Sequence, residues 1–191
     1  MPFNQLKNLL KQEKQLGVNE PECAVLATVS TEGNPHSRVV AIRKIETESL
    51  LFFTQQLSRK VAELQQNPNA TLNFWFAMQQ RQVILEGVAT PLSYEENQAF
   101  WNSLPRERQL RFSSYAPTSG KVIEDQTVLK KRKAELISQF ADQVIPMSKH
   151  YCGFRFTPHT IFFYTIGTTA FSEVIRYSKI DEYWQQAFLS P

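Results

Sequence analysis

The stretch LFFTQQLSRKVAEL, residues 51–64, breaks an apolar run at Thr54, Gln55 and Gln56 and then opens a helical pattern on Ser58, Arg59 and Lys60. The free N–H groups of a helix start already make that end positive, so Asp or Glu suits it and two cations do not. A phosphate monoester would resolve the conflict. It would accept bonds from the first amides and from the Ser58 hydroxyl, while Arg59 and Lys60 neutralised its charge. Arg38 and Arg43, upstream in SRVVAIRKI, are further candidate cations for the same anion. Strict period-2 alternation puts residues five apart on opposite faces of a strand, so only a bulge or an edge position would bring both to one ligand. The dipole conflict costs only about 0.3–1 kcal/mol. These residues alone therefore leave two readings open, a phosphate cradle and a pair of ordinary exposed cations.

Other chemistry finds little support. His36, His150 and His159 have no Cys, His or carboxylate at a zinc spacing, so no metal site is expected. The chain has neither GxGxxG nor GxxxxGK[ST], and six glycines leave little room for a phosphate-cradling loop, so side chains must hold any anion. Cys23 and Cys152 lie far apart, each in an apolar run, and read as buried thiols rather than a disulfide or a metal pair. The run KKRK, Lys130 to Lys133, reads as the solvated face of a helix.

The elements that must position these residues are mostly strands. CAVLATV, SRVVAIRKI and LLFFT follow one another across the polar turns TEGN and ETES, as an antiparallel meander. Ser58 is a plausible N-cap for the helix SRKVAELQQN, which stops at Asn67 and Pro68. ATLNFWFA and RQVILEGVATPL supply two more strands around a polar connection at Met78 to Gln80, and a five- or six-stranded sheet of this size closes most naturally into a small barrel. The middle is helical. SYEENQAFWNSL opens on a capping box of Ser93 and Glu96, PRERQLRFSSY opens on Pro105, and KVIEDQTVLKKRKAELISQF makes a third helix. YCGFRFTPHTIFFYTIG and FSEVIRY return to strand. The fold class is thus mainly β with helices, a β-barrel plus α.

Bulk numbers fit one domain over residues 1–191 with a helix at 1–17 and C-terminal strands at 151–191. The formal charge of +3, from 21 Lys and Arg against 18 Asp and Glu, is too balanced for a protein whose task is gripping a nucleic-acid backbone, so no nucleic-acid partner is expected. The N-terminus is an amphipathic helix with Phe3, Leu6, Leu9 and Leu10 on one face, read as neither a secretory signal nor a membrane anchor. No stretch approaches the roughly 20 apolar residues that span a bilayer. A cytoplasmic protein without a membrane partner is expected.

RVVAIRKIETESLLFFTQQLSRKVAELQQNP resembles the flavin-binding region of the pyridoxamine 5'-phosphate oxidase family, whose members read R-x-V-L-L-K, then F-Y-T-N-x-x-S-R-K and N-P. The resemblance continues through RQVILEGVATPLS, SLPRERQ and GFRFTPHTIFFY to Trp184 and Pro191, covering about residues 20 to 191. It implies an FMN-binding split β-barrel acting on a small molecule. The assembly it implies is a homodimer, with FMN at each of two sites across the subunit interface and residues 151–191 resembling the dimerisation segment. By the resemblance Arg38, Arg59 and Lys60 match the family's flavin-binding cations, with Val39 beside Arg38 and Ser58 opening the helix. Phe53 and Thr54 occupy its Tyr-Thr pair, Gln82 its flavin-contacting glutamine, and Thr118 with Ser119 a Gln-Ser pair from the other subunit. Catalytic residues are not assigned.

The departures concern substrate. The family's substrate phosphate is held by Lys, Tyr, Arg and Ser at positions that here read Arg43, Phe100, Leu104 and roughly Arg108, and only the first change keeps the charge. Tyr164, Ala170, Ser172 and Val174 stand where the family has its C-terminal Trp, Arg, His and Arg. Arg106 and Arg108 are candidate replacement cations for substrate, and Arg176, two residues beyond Val174, for the lost flavin contact. Three functions follow: an FMN-dependent oxidoreductase with an altered substrate, a genuine pyridoxine or pyridoxamine 5'-phosphate oxidase with a rearranged grip, and a flavin carrier or sensor without catalysis. Reduction of the flavin by B6 phosphates, by another donor, or by none separates them.

Overall fold

Alternation of apolar and polar side chains builds the barrel. A computed structural model describes residues 1–167 and 170–191. Along Cys23–Val29 (β1) the buried positions are Ala24, Leu26 and Thr28, and along Pro35–Ile45 (β2) they include Val40 and Ile42. Leu50–Gln55 (β3) is buried on both faces at Leu50, Leu51 and Phe52. Asn69–Phe76 (β4) turns Leu72, Phe74 and Phe76 inward, and Arg81–Pro91 (β5) does the same with Val83, Leu85 and Ala89. The strands pair in the order β3-β2-β1-β4-β5, and Tyr151–Thr165 (β6) pairs with both β5 and β3, which closes a six-strand ring. The first half of the chain thus supplies five staves, and the sixth comes from residues beyond 150. β6 also carries the hairpin of Glu173–Ile180 (β7) and Tyr183–Leu189 (β8). β8 falls within the C-terminal strands expected at 151–191, although Gln185 and Gln186 interrupt its apolar alternation on the sheet edge.

The chain groups into two compact bodies, Met1–Phe52 with Glu63–Thr90 and Phe154–Pro191, and Phe53–Ala62 with Pro91–Gly153. In the first, helix Pro2–Gln15 (α1) buries the expected face of Phe3, Leu6, Leu9 and Leu10, and adds Glu13, which no apolar pattern announces. In the second, Tyr94–Ser103 (α3) starts on the capping box of Ser93 and Glu96, followed by Arg106–Tyr115 (α4) and a short 3-10 turn at Ala116–Thr118. The third helix is shorter than expected: Thr127–Phe140 (α5) replaces 121–140, because the Asp125 carboxylate accepts the Thr127 amide at 2.6 Å and its hydroxyl as well, ending the preceding turn there. Helix Arg59–Gln66 (α2) lies between β3 and β4 in the chain. Trp101, Leu110, Phe112, Ala116, Ile145 and Tyr151 form the apolar centre of the second body. Cys152 is buried and Cys23 half-buried, both free thiols. Among the described residues no helix is long and apolar enough to cross a membrane, and no cluster of His, Cys, Asp and Glu could hold a metal ion.

The β2–β3 turn is pinned electrostatically. The Glu46 carboxylate accepts from Ser49 Oγ at 2.6 Å and Arg155 Nε at 3.1 Å, and pairs with Lys44 at 3.3 Å. The Ser49 bond, against burial and with help from Arg155 and Lys44, lowers its pKa from 4.5 to about 2. A depressed carboxylate stabilises fully above its unfolded value and loses that contribution as pH falls through its folded value. The stability gap between wild type and Glu46→Gln, at most about 3 kcal/mol, is therefore expected to close between pH 4.5 and about 2. Urea titrations across that window that show a constant gap would refute the assignment.

Candidate functional site

The helix start singled out above is built as a knot of donors in the second body. Thr54 and Ser58 are both buried, and Lys60 Nζ donates to Thr54 Oγ1 at 2.9 Å and to Ser58 Oγ at 3.2 Å. The Ser58 carbonyl accepts from the amides of Val61 and Ala62, which makes Ser58 the N-cap by backbone, and its hydroxyl accepts from Lys60 Nζ. Arg59 is exposed. Hydroxyl, guanidinium and ammonium are all donors, and a phosphate presents acceptor oxygens, so the set present here matches a phosphate monoester in chemistry and in sign of charge. Beneath it the Cys152 thiol lies 3.6 Å from the Thr54 carbonyl oxygen. Burial, only partly offset by the charge of Lys60, pushes its pKa up to about 12. It stays protonated and is no nucleophile.

Next to Thr54 in the chain, the same body carries a stack of aromatic rings. The Phe53 ring stacks on Phe100 with centroids 3.9 Å apart and an interplanar angle of 17°, and on Tyr151 at 5.3 Å. Gly153 makes room for it, since a Cβ there would sit 2.6 Å from the Phe53 ring. Leu104 packs against the same cluster. Arg106, a candidate substrate cation, donates instead to the carbonyl of Gln143 at 2.6 Å and to that of Ala141, closing the turn after α5. Arg108 is exposed. Thr118 accepts from Arg132 Nη1 at 3.0 Å and donates to the Tyr115 carbonyl at 3.3 Å, while the Ser119 amide bonds Ala116. The KKRK run is therefore more than solvated surface: Arg132 holds Thr118, and Lys133 pairs with Glu107.

In the first body Arg38 is drawn into a buried network. Its Nη2 donates to Glu63 Oε2 at 3.2 Å, and its Nη1 to the Thr28 hydroxyl and, at 3.4 Å, to the Leu26 carbonyl. Glu63 Oε1 lies 2.6 Å from His36 Nδ1, and Thr28 donates to Oε2. Burial works against ionisation of Glu63, but the bonds from Thr28, His36 and Arg38 outweigh it and hold the pKa below the usual carboxylate range. Val39, the next residue, alternates to the outside and is 66% exposed. The bulge that alternation demanded exists: the β2–β3 register shifts between Ile42 and Lys44, leaving Arg43 as the extra residue. Arg43 is exposed while Arg38 is turned inward, so the bulge does not bring the two to one face. Gln82 Nε2 donates to Asn73 Oδ1 at 3.0 Å, and Gln82 and Tyr164 line one small cleft with Gln5, Arg81, Thr165 and Glu173. Arg176 lies opposite Phe162, and its Nε is buried without a hydrogen-bond partner among the described residues. The candidate residues thus fall into three groups: Thr54, Ser58 and Lys60; Phe53 and Phe100; and Gln82 and Tyr164.

A closed six-strand barrel with a donor-rich helix start defines a class, and known proteins narrow it. A family model described as pyridoxamine 5'-phosphate oxidase matches residues 10–140. The pyridoxine/pyridoxamine 5'-phosphate oxidase of Acaryochloris marina is 35% identical over 190 residues, covering 100% of this chain and 86% of its own, and that of Microcystis aeruginosa is 33% identical over 191 residues, covering 100% and 88%. Among solved structures, PhzG from Burkholderia lata, in complex with tetrahydrophenazine-1-carboxylic acid, superposes with a TM-score of 0.87 at 26% identity over 100% of this chain and 92% of that one. A pyridoxamine 5'-phosphate oxidase-related, FMN-binding protein from Nostoc punctiforme gives 0.79 at 20% identity over 98% and 96%, a likeness of fold. The chain belongs to the pyridoxamine 5'-phosphate oxidase family.

Proposed function

We propose that the protein is an FMN-dependent oxidoreductase acting on a small ring-bearing acid that carries no phosphate. The observation that carries the altered substrate is the phenyl ring of Phe100 lying 3.9 Å from Phe53, at a position where the family offers a substrate phosphate a tyrosine hydroxyl. A candidate cation is engaged elsewhere as well, because Arg106 donates to backbone carbonyls. An aromatic wall rewards a flat apolar face and gives a phosphate nothing to bond. The relative PhzG, whose bound ligand is a partly reduced ring acid, supports that substrate class. Bound FMN would supply the hydride acceptor. The chain's own part is to hold the phosphate of FMN with Ser58, Arg59 and Lys60, to contact the flavin through Gln82, and to offer the substrate the Phe100 face.

A genuine pyridoxine/pyridoxamine 5'-phosphate oxidase is the second reading, supported by the names of the curated relatives at 33–35% identity. Anaerobic titration of FMN-loaded protein separates the two. Pyridoxine and pyridoxamine phosphates should leave the flavin absorbance unchanged, while a dihydro- or tetrahydro-aromatic carboxylic acid bleaches it. Rapid bleaching by either B6 phosphate would overturn the first reading in favour of the second. We further propose a homodimer. Val39 and Val25 pair across β2 and β1, Trp75 lies on the adjacent β4, and all three are exposed, an apolar outer face that a second copy would cover. Sedimentation at the mass of one 22.1 kDa chain would remove that proposal.

A further inference from the structure

Glu13 is 2% exposed, yet it lies on an amphipathic helix whose other buried members are apolar save for a proline. A buried carboxylate is retained only where donors satisfy it. Here they come from the turn between β4 and β5: Oε1 accepts the Met78 amide at 3.0 Å and Oε2 accepts Gln79 Nε2 at 2.8 Å. Gln79 Nε2 also donates to the Leu9 carbonyl at 2.9 Å, so α1 grips the turn twice. The turn then passes through Gln80 at a φ of 51°, whose carbonyl accepts the Ile166 amide at 3.1 Å, and enters β5 at Arg81 and Gln82. Leu9 and Gln5 of α1 line the same cleft as Arg81, Gln82 and Tyr164.

We infer that Glu13 is a positioning residue for Gln82: by fixing the Met78–Gln80 turn, the N-terminal helix sets where the Gln82 carboxamide points in that cleft. The inference rests on the flavin contact given to Gln82 above. The constraint passes along the backbone, because Gln82 follows the clamped Gln79 by three residues and is the second residue of the strand into which the turn leads. Losing both acceptors leaves the Met78 amide unsatisfied and frees the residues leading into β5.

The test compares Glu13→Ala and Glu13→Gln in the full-length protein. Glu13→Ala is expected to raise hydrogen exchange over residues 78–84 in the ligand-free protein and to weaken FMN binding about tenfold. At saturating FMN it should also shift the visible spectrum and the reduction potential of the bound flavin. Glu13→Gln keeps an acceptor for Met78 and should restore most of both. A folded Glu13→Ala variant with unchanged exchange at residues 81–84, or one whose saturated flavin has the wild-type spectrum and potential, overturns the inference and leaves FMN binding intact. Wild-type protein that takes up no FMN overturns the underlying reading instead, and the inference with it.

Discussion

Lys60→Met is expected to weaken FMN binding by about a hundredfold while leaving the affinity for riboflavin nearly unchanged. The two ligands differ by one phosphate, so the ratio of their dissociation constants isolates what the ammonium does. Lys60 is held over the first turn of α2 by Thr54 and Ser58, and its side chain therefore needs little ordering when an anion arrives. A methionine keeps the length and the apolar stem, which protects the fold and removes only the charge and the donors. Lys60→Arg should recover part of the loss, because the longer planar fork cannot bond both hydroxyls in the same geometry. Fluorescence titrations of the four ligand and variant pairs decide it. Equal losses for FMN and riboflavin would mean that Lys60 supports the fold and not the phosphate, and equal affinity of variant and wild type for FMN would remove the cradle altogether.

The largest expected effect on stability is at Gly87. A Cβ there would lie 2.3 Å from the Thr157 carbonyl oxygen and 2.6 Å from the Pro158 Cα. Both are backbone atoms of β6, so no side-chain rotation relieves the clash, and β5 must move away from its neighbour. Gly87→Ala is expected to cost about 3 kcal/mol and to lower the melting temperature by roughly 10 °C. Gly33, with an open surrounding but a φ of 82°, should lose much less on the same substitution, since only local backbone strain is at stake. A melting temperature of Gly87→Ala within a degree or two of wild type would mean that the strands pair differently from what is described here.

The strands were legible because buried alternation is a property of neighbouring residues: CAVLATV and RQVILEGVAT carry their inward faces in plain order. The Ser93 and Glu96 capping box and the apolar face of α1 were legible for the same reason. What stayed hidden depends on partners far along the chain. Glu63 sits four residues after Arg59 and so looks like one half of an exposed helical pair, yet it meets Thr28, His36 and Arg38 from two strands. Glu13 looks like the polar face of α1 and is buried under the Met78 turn. Arg106 matched a family arginine by spacing, but the carbonyls that engage it come from residues 141–143. Of the candidate site, Ser58 and Lys60 were found by a local electrostatic conflict, which is visible in sequence. The stacking of Phe53 on Phe100 was not, since only the fold brings residues 47 apart into ring contact.

β6 carries a consequence for biosynthesis. It seals the ring by pairing with β3, about a hundred residues upstream, and until it has left the ribosome both β3 and β5 expose unsatisfied strand edges. Nascent chains that end before residue 151 are then open sheets with two unpaired edges, and the ring closes only once residues 151–165 have emerged.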